Sequence, residues 1–176
     1  MSIGLWVRGA RPKTLVTSIA SVMVGAVMAY VHIERSGTCI AIYPEPASCA
    51  TAREQQTLLM DRFWPVAILC LLVALFLQIA VNYANDYSDG IRGTDAGRDT
   101  DESKSGKPQR LTASGLVPAK HVLFAAMICA AIACICGVVA VVLAQAWWLL
   151  AVGAASLLAG WFYTGGKHPY GYVGLG

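Results

Sequence analysis

The chain has 176 residues, of which 57% are hydrophobic and only 13% charged. A soluble domain carries about 25% charged residues, so this composition excludes an ordinary water-surrounded globule. The formal net charge of +3 is a small balance between charges of both signs, which gives no case for nucleic-acid binding.

The charge deficit is concentrated. Residues 63–85 contain no Asp, Glu, Lys or Arg, and neither do residues 122–166. A helix crosses a bilayer with roughly 20 apolar residues. The first run therefore fits one crossing, and the second fits two with a turn between them.

In chain order, residues 1–13 are short and basic, with Arg8, Arg11 and Lys13. The apolar stretch 14–31 is the first predicted span. It contains Gly25 and several hydroxyl residues, which suits a helix packed against other helices. It lacks a small-residue cleavage site, so it reads as a retained helix rather than a signal peptide. Residues 32–62 are polar, with Pro44 and Pro46, and read as a loop with a short helix around 51–61. Cys39 and Cys49 lie there, and an oxidising compartment on that side would allow a disulfide between them, which the sequence alone leaves open. Cys70, Cys129, Cys134 and Cys136 fall in apolar segments as small hydrophobes, and no pair has zinc-site spacing.

The second predicted span is 63–84, with Trp64 at the interface and Pro65 in the first helical turn. A polar segment, 85–120, follows and is punctuated by glycine and proline. Spans three and four, 122–144 and 146–163, are separated only by Gln145 and its neighbours, which predicts an antiparallel hairpin with Trp147 and Trp148 at the interface. A glycine-rich polar tail begins at Gly165. The expectation is an all-α fold: one polytopic transmembrane helical bundle over 1–176, with about four spans.

Lys and Arg set the orientation. Residues 1–13 have three, and 85–120 has six: Arg92, Arg98, Lys104, Lys107, Arg110 and Lys120. The 32–62 segment has Arg35, Arg53 and Arg62, offset by four acids. Four crossings place the N-terminus, 85–120 and the tail on one side, which this count makes cytoplasmic.

The strongest chemical signal is Asn82-Tyr-Ala-Asn85-Asp86-Tyr-Ser-Asp89, closing the second span. At 100° per residue, Gln78, Asn82, Asn85, Asp86 and Asp89 share an arc of about 100°. Facing lipid they would cost several kcal/mol, so they face a bundle interior or a wet cavity. Carboxylates and amides on one face supply hard oxygen ligands to a divalent cation, and Mg²⁺ uses one or two carboxylates together with waters and substrate phosphates. Arg92, Arg98, Lys104, Lys107 and Arg110 follow, and cations of this kind hold anionic oxygens. The pattern suits a metal-bridged diphosphate. Asp86-Tyr-Ser-Asp89-Gly does not match a calcium loop of the EF-hand type. An ion-coupled membrane transporter also places acids in a span and is the rival reading. Tyr83, Tyr87 and Tyr163 are either interfacial belt residues or the lining of an apolar pocket.

Asn85-Asp86-x-x-Asp89 after an apolar helix, followed by Arg110-Leu-Thr-Ala-Ser-Gly115, resembles the first aspartate-rich motif of the UbiA superfamily of intramembrane prenyltransferases. Arg11-Pro-Lys-Thr-Leu15, Arg92-Gly-Thr-Asp95, Tyr163-Thr-Gly-Gly and Pro169-Tyr-Gly-Tyr are similar to its menaquinone branch. The resemblance implies a helical bundle with a cavity open to the cytoplasm, in the cell membrane. It implies Mg²⁺-dependent transfer of a polyprenyl group from its diphosphate to 1,4-dihydroxy-2-naphthoate, with loss of CO₂, giving demethylmenaquinone. Another aromatic acceptor is the alternative within the family.

On these positions the resemblance implies Asn82, Asp86 and Asp89 as metal ligands. Asp95 is expected to stand in for an acid that many relatives carry where this chain has Gly93. Catalytic roles fall to Asp86, Asp89 and Lys167. Diphosphate contacts fall to Asn85, Arg92, Arg98, Lys104 and Arg110. Gln78 and Tyr163 line the cavity. The family has more spans and a second acidic motif, whereas no acid follows Glu102 here. The chain is therefore expected to be the N-terminal portion of a longer enzyme, with little prenyl transfer by itself.

Overall fold

The computed structural model describes residues 3–37, 46–92, 110–164 and 170–173. Among them every regular element is a helix: α1 (Ile3–Gly9), α2 (Pro12–Ser36), α3 (Pro46–Arg92), α4 (Ala119–Ala144), α5 (Trp148–Thr164) and a 3₁₀ turn at Tyr170–Val173. Helices α2, α3 and α4 are each long and apolar enough to cross a membrane, and α5 is a shorter apolar helix. The exposed residues include Met23, Ile68, Ile135, Leu158 and Trp161, a surface compatible with lipid and not with water. The protein is a multi-pass membrane protein.

Helix α2 begins at Pro12, whose missing N–H costs nothing in a first turn. The preceding residue, Arg11, takes a left-handed conformation (φ 52°), which breaks the chain sharply between α1 and α2. The hydroxyls of Thr17 and Ser21 donate to the carbonyls of Thr14 and Thr17, so neither leaves an unsatisfied donor in the apolar helix.

Helix α3 differs from the sequence expectation at both ends. It starts at Pro46, so most of the segment read as a loop is helical, and it runs to Arg92. Its 47 residues span about 70 Å, more than twice the hydrocarbon thickness of roughly 30 Å. Pro65 therefore lies in the helix interior and not in a first turn, where it removes one backbone hydrogen bond. Composition misleads here because the 46–62 stretch is polar and yet helical. Its Gln56 side chain donates to the Glu34 carbonyl at the end of α2, which ties the two elements together.

Helix α3 packs against α2 and α4. On α4 the buried alanines Ala126, Ala133 and Ala140 recur every seven residues. Small side chains at a repeating position let two apolar helices approach closely. Helix α4 ends on Gln145, which is left-handed (φ 56°). The Ala146 N–H reaches back to the Val141 carbonyl and the Gln145 side chain donates to the Val142 carbonyl, while Arg62 on α3 donates to the Leu143 carbonyl. Three donors thus satisfy carbonyls that the helix end leaves open. An apolar groove of about 350 Å³ lies at this end, lined by Ala26, Ala29, Phe63, Val66 and Leu143.

The core lies at the opposite end of α2. It consists of Ala10, Tyr83, Leu111, Val117, Val122 and Ala126, with Trp6, Ile79, Tyr87 and Cys129 packed around it. Trp6 stands edge-on to Tyr83 at 5.7 Å, and the Tyr83 hydroxyl donates to the Trp6 carbonyl. The residues of the acidic signal are built on this cluster.

Candidate functional site

Because α3 continues to Arg92, the polar residues that close it are spaced as helix neighbours. They form two rows. Gln78, Asn82 and Asp86 make the first, at successive i, i+4 positions. Asn85 and Asp89 make the second.

The first row faces protein. The Ser18 hydroxyl donates to Gln78 Oε1 at 3.2 Å. Asn82 is buried and donates through Nδ2 to the Ala10 carbonyl (2.8 Å) and to Thr14 Oγ1 (2.9 Å), while its Oδ1 faces Gln78 Nε2 at 3.4 Å. This ladder ties α3 to the break between α1 and α2. Replacing Asn82 by Ala would leave the Ala10 carbonyl buried without its partner. The expected loss is about 1–3 kcal/mol, read as a lowered thermal midpoint in detergent.

Asp86 is 2% exposed. Its Oδ2 accepts from the Leu111 N–H and its Oδ1 from the Thr112 N–H, both at 2.9 Å. Both oxygens are thus engaged by the backbone 25 and 26 residues further on. That backbone is a compact turn. The Ser114 N–H bonds the Arg110 carbonyl, the Val117 N–H bonds the Leu111 carbonyl, and Gly115 supplies the positive φ (68°) that lets the chain reverse into Pro118 and α4.

The second row is more open. Asn85 is half-buried, and the Asp89 side chain is 23% exposed. Arg110, the residue before the clamped amides, places Nη1 3.9 Å from Asp89 Oδ2. Arg92, one turn beyond Asp89, is exposed, and its Nε donates to Ser88 Oγ at 3.3 Å. An accessible carboxylate beside a guanidinium can address both halves of a cation-bound diphosphate. The carboxylate suits the cation and the guanidinium the phosphate oxygens.

Of the residues expected at the site, Gln78, Asn82, Asn85, Asp86, Asp89, Arg92 and Arg110 belong to this end of α3 or to the turn packed on it. Asp95, Arg98, Lys104 and Lys167 lie outside the described residues. Tyr163 packs edge-on against Tyr170 at 5.4 Å, and the Tyr170 hydroxyl bonds the Ala159 carbonyl, so its ring contact is with the tail. Among the described residues no group of three or more His, Cys, Asp or Glu comes together as a metal cage. The donors suit Mg²⁺ as Asp89 completed by phosphate and water oxygens, because one carboxylate suffices in such sites. Asn82 and Asp86 already bond protein atoms.

Sequence reasoning missed the partners of the first row: the Ala10 carbonyl, Thr14, Ser18 and the amides of Leu111 and Thr112. No pattern in the chain pairs residue 86 with residue 111. The string Arg110–Gly115 was visible as a motif, but not as the strap on Asp86.

The chain is 41% identical to the 1,4-dihydroxy-2-naphthoate octaprenyltransferase of Mycobacterium tuberculosis over 99% of its own length and 48% of that protein. It is 37% identical to the enzyme of the same name from Mycobacterium leprae, over 99% and 48%. The enzyme of that name from Escherichia coli is 30% identical over 97% of this chain and 46% of the relative. The chain thus spans about half the length of these curated relatives. No solved structure matches it. Residues 57–176 match the model of the UbiA prenyltransferase family, covering α3 from its fourth turn onward and the whole of the Asp86–Asp89 site. The chain belongs to the UbiA prenyltransferase family.

Proposed function

We propose that the protein acts in menaquinone biosynthesis, transferring a polyprenyl group from its diphosphate to 1,4-dihydroxy-2-naphthoate. The observation that carries this reading is the Asp89–Arg110 pair, set at the polar end of a membrane helix in a chain 41% identical to an enzyme of that name. The carbon–oxygen bond to the diphosphate breaks, and its electron pair leaves with the diphosphate. The allylic carbon bonds to the electron-rich ring, the ring carboxylate departs as CO₂ and leaves its bonding pair in the ring, and demethylmenaquinol, the reduced form of demethylmenaquinone, results.

Bound Mg²⁺ would supply Lewis-acid stabilisation of the leaving diphosphate. Asp89 would hold that ion, and Arg110 would hold diphosphate oxygens. Preorganised charge at the leaving oxygens acts where charge develops. An apolar, water-poor surrounding would protect the allylic centre from hydrolysis.

The proposed setting is the cell membrane with the N-terminus cytoplasmic. The excess of Lys and Arg in 1–13 and 85–120 supports this orientation. So does Cys49, at the other end of α3, which is disulfide-bonded and therefore suits the oxidising side.

The test is turnover by the product of the full reading frame in liposomes, with octaprenyl diphosphate, carboxyl-labelled 1,4-dihydroxy-2-naphthoate and Mg²⁺. Equal yields of demethylmenaquinol and labelled CO₂ are expected. Prenyl transfer only to an acceptor that keeps its carboxylate would replace the substrate assignment. Turnover unaffected by chelation would remove the metal.

A further inference from the structure

We propose that Asp86 is a positioning residue, whose carboxylate straps the 110–114 turn onto α3 and so places Arg110 beside Asp89. The inference rests on the proposed reading only for what Arg110 touches. The strap itself is independent of that reading.

Three contacts hold the turn. The first is the pair of hydrogen bonds from the Leu111 and Thr112 amides to the two Asp86 oxygens, 2.9 Å each. The second is Leu111, fully buried against Gly9 and Tyr83. A Cβ on Gly9 would lie 2.5 Å from Leu111 Cδ1, so α1 offers a seat that only glycine leaves open. The third is Gly90, one turn beyond Asp86. A Cβ there would lie 2.5 Å from Thr112 Cβ, so the absent side chain is what lets the turn lie flat on the helix.

Arg110 leads directly into this anchored stretch, and its guanidinium reaches Asp89 at 3.9 Å. Asp86 and Asp89 are three residues apart on one helix, so the strap and the accessible carboxylate share one rigid frame. In this arrangement Asp86 acts on a bound diphosphate through Arg110 and not by ligating a cation. A hydrogen-bond acceptor on both oxygens is what the position demands. Asn offers one acceptor and turns an N–H₂ toward an amide that also donates.

The experiment compares the full reading-frame protein with Asp86→Asn, Asp89→Asn and Gly90→Ala. The first measurement is hydrogen–deuterium exchange of the 110–117 peptide. Exchange should quicken about tenfold or more in Asp86→Asn and in Gly90→Ala, and stay unchanged in Asp89→Asn. The second is the kinetic split. Asp86→Asn should raise the KM for the prenyl diphosphate about tenfold while the Mg²⁺ concentration for half-maximal rate moves by less than about twofold. Gly90→Ala should reproduce that split with the carboxylate intact, although alanine is the better helix former.

Unchanged exchange in Asp86→Asn would overturn the proposal. So would a rise in Mg²⁺ requirement with exchange at the wild-type rate, which would make Asp86 a metal ligand. If Asp86→Asn does not fold, Gly90→Ala decides, and wild-type kinetics there would overturn it. A wild-type protein without prenyl transfer would sink the proposed function and leave the exchange result to judge the strap.

Discussion

Replacing Asp89 by Asn in the full reading-frame protein is expected to lower the rate of prenyl transfer by about 10²–10³, with the fold intact. Asp89 is the partly exposed carboxylate of the α3 end, 3.9 Å from Arg110, whereas Asp86 is buried under two backbone amides. Losing its charge removes the group proposed to hold Mg²⁺ while keeping shape and volume. The effect should fall mainly on kcat and be partly relieved by raising Mg²⁺, because a ligand lost to the cation weakens binding of the ion as well as its action. A steady-state Mg²⁺ titration of wild type and variant reads both quantities. A variant within about threefold of wild type in kcat would show that the metal is held elsewhere.

Replacing Leu111 by Ala is expected to cost about 2–5 kcal/mol, the range for removing a fully buried leucine. Leu111 has no exposed surface and sits among Gly9, Tyr83, Val117 and Val122. The hole cannot close by a small shift, because the Leu111 and Thr112 amides are held by Asp86 and the Val117 N–H holds the Leu111 carbonyl. The thermal midpoint in detergent or nanodiscs measures the loss. Leu158→Ala on the exposed face of α5 is the control, with little change expected. Equal losses at both positions would mean that the 111 cluster is not the core.

Much of the fold was legible along the chain, because crossing a bilayer is a local property. Ala119–Ala144 and Trp148–Thr164 lie within a few residues of the stretches predicted from their missing charges. Where charge returned, the reading broke down. Residues 46–62 carry polar side chains on a continuous helix, and residues 86–92 extend the same helix beyond the apolar run. Absence of charge marks what the membrane tolerates, not where the backbone stops bonding to itself. The left-handed Arg11 and Gln145 were equally hidden, since neither is glycine and neither belongs to a turn signature.

The candidate site divides along the same line. Helical spacing alone put Gln78, Asn82, Asn85, Asp86 and Asp89 on one polar face, and the motifs around them carried the family. That much follows from periodicity, which every residue shares with its neighbours. Spacing could not say what each of these groups meets. Only the tertiary structure brings the Ala10 carbonyl to Asn82, the amides of Leu111 and Thr112 to Asp86, and the Arg110 guanidinium to the partly exposed Asp89. A carboxylate's role depends on what reaches it, and these partners arrive from dozens of residues away.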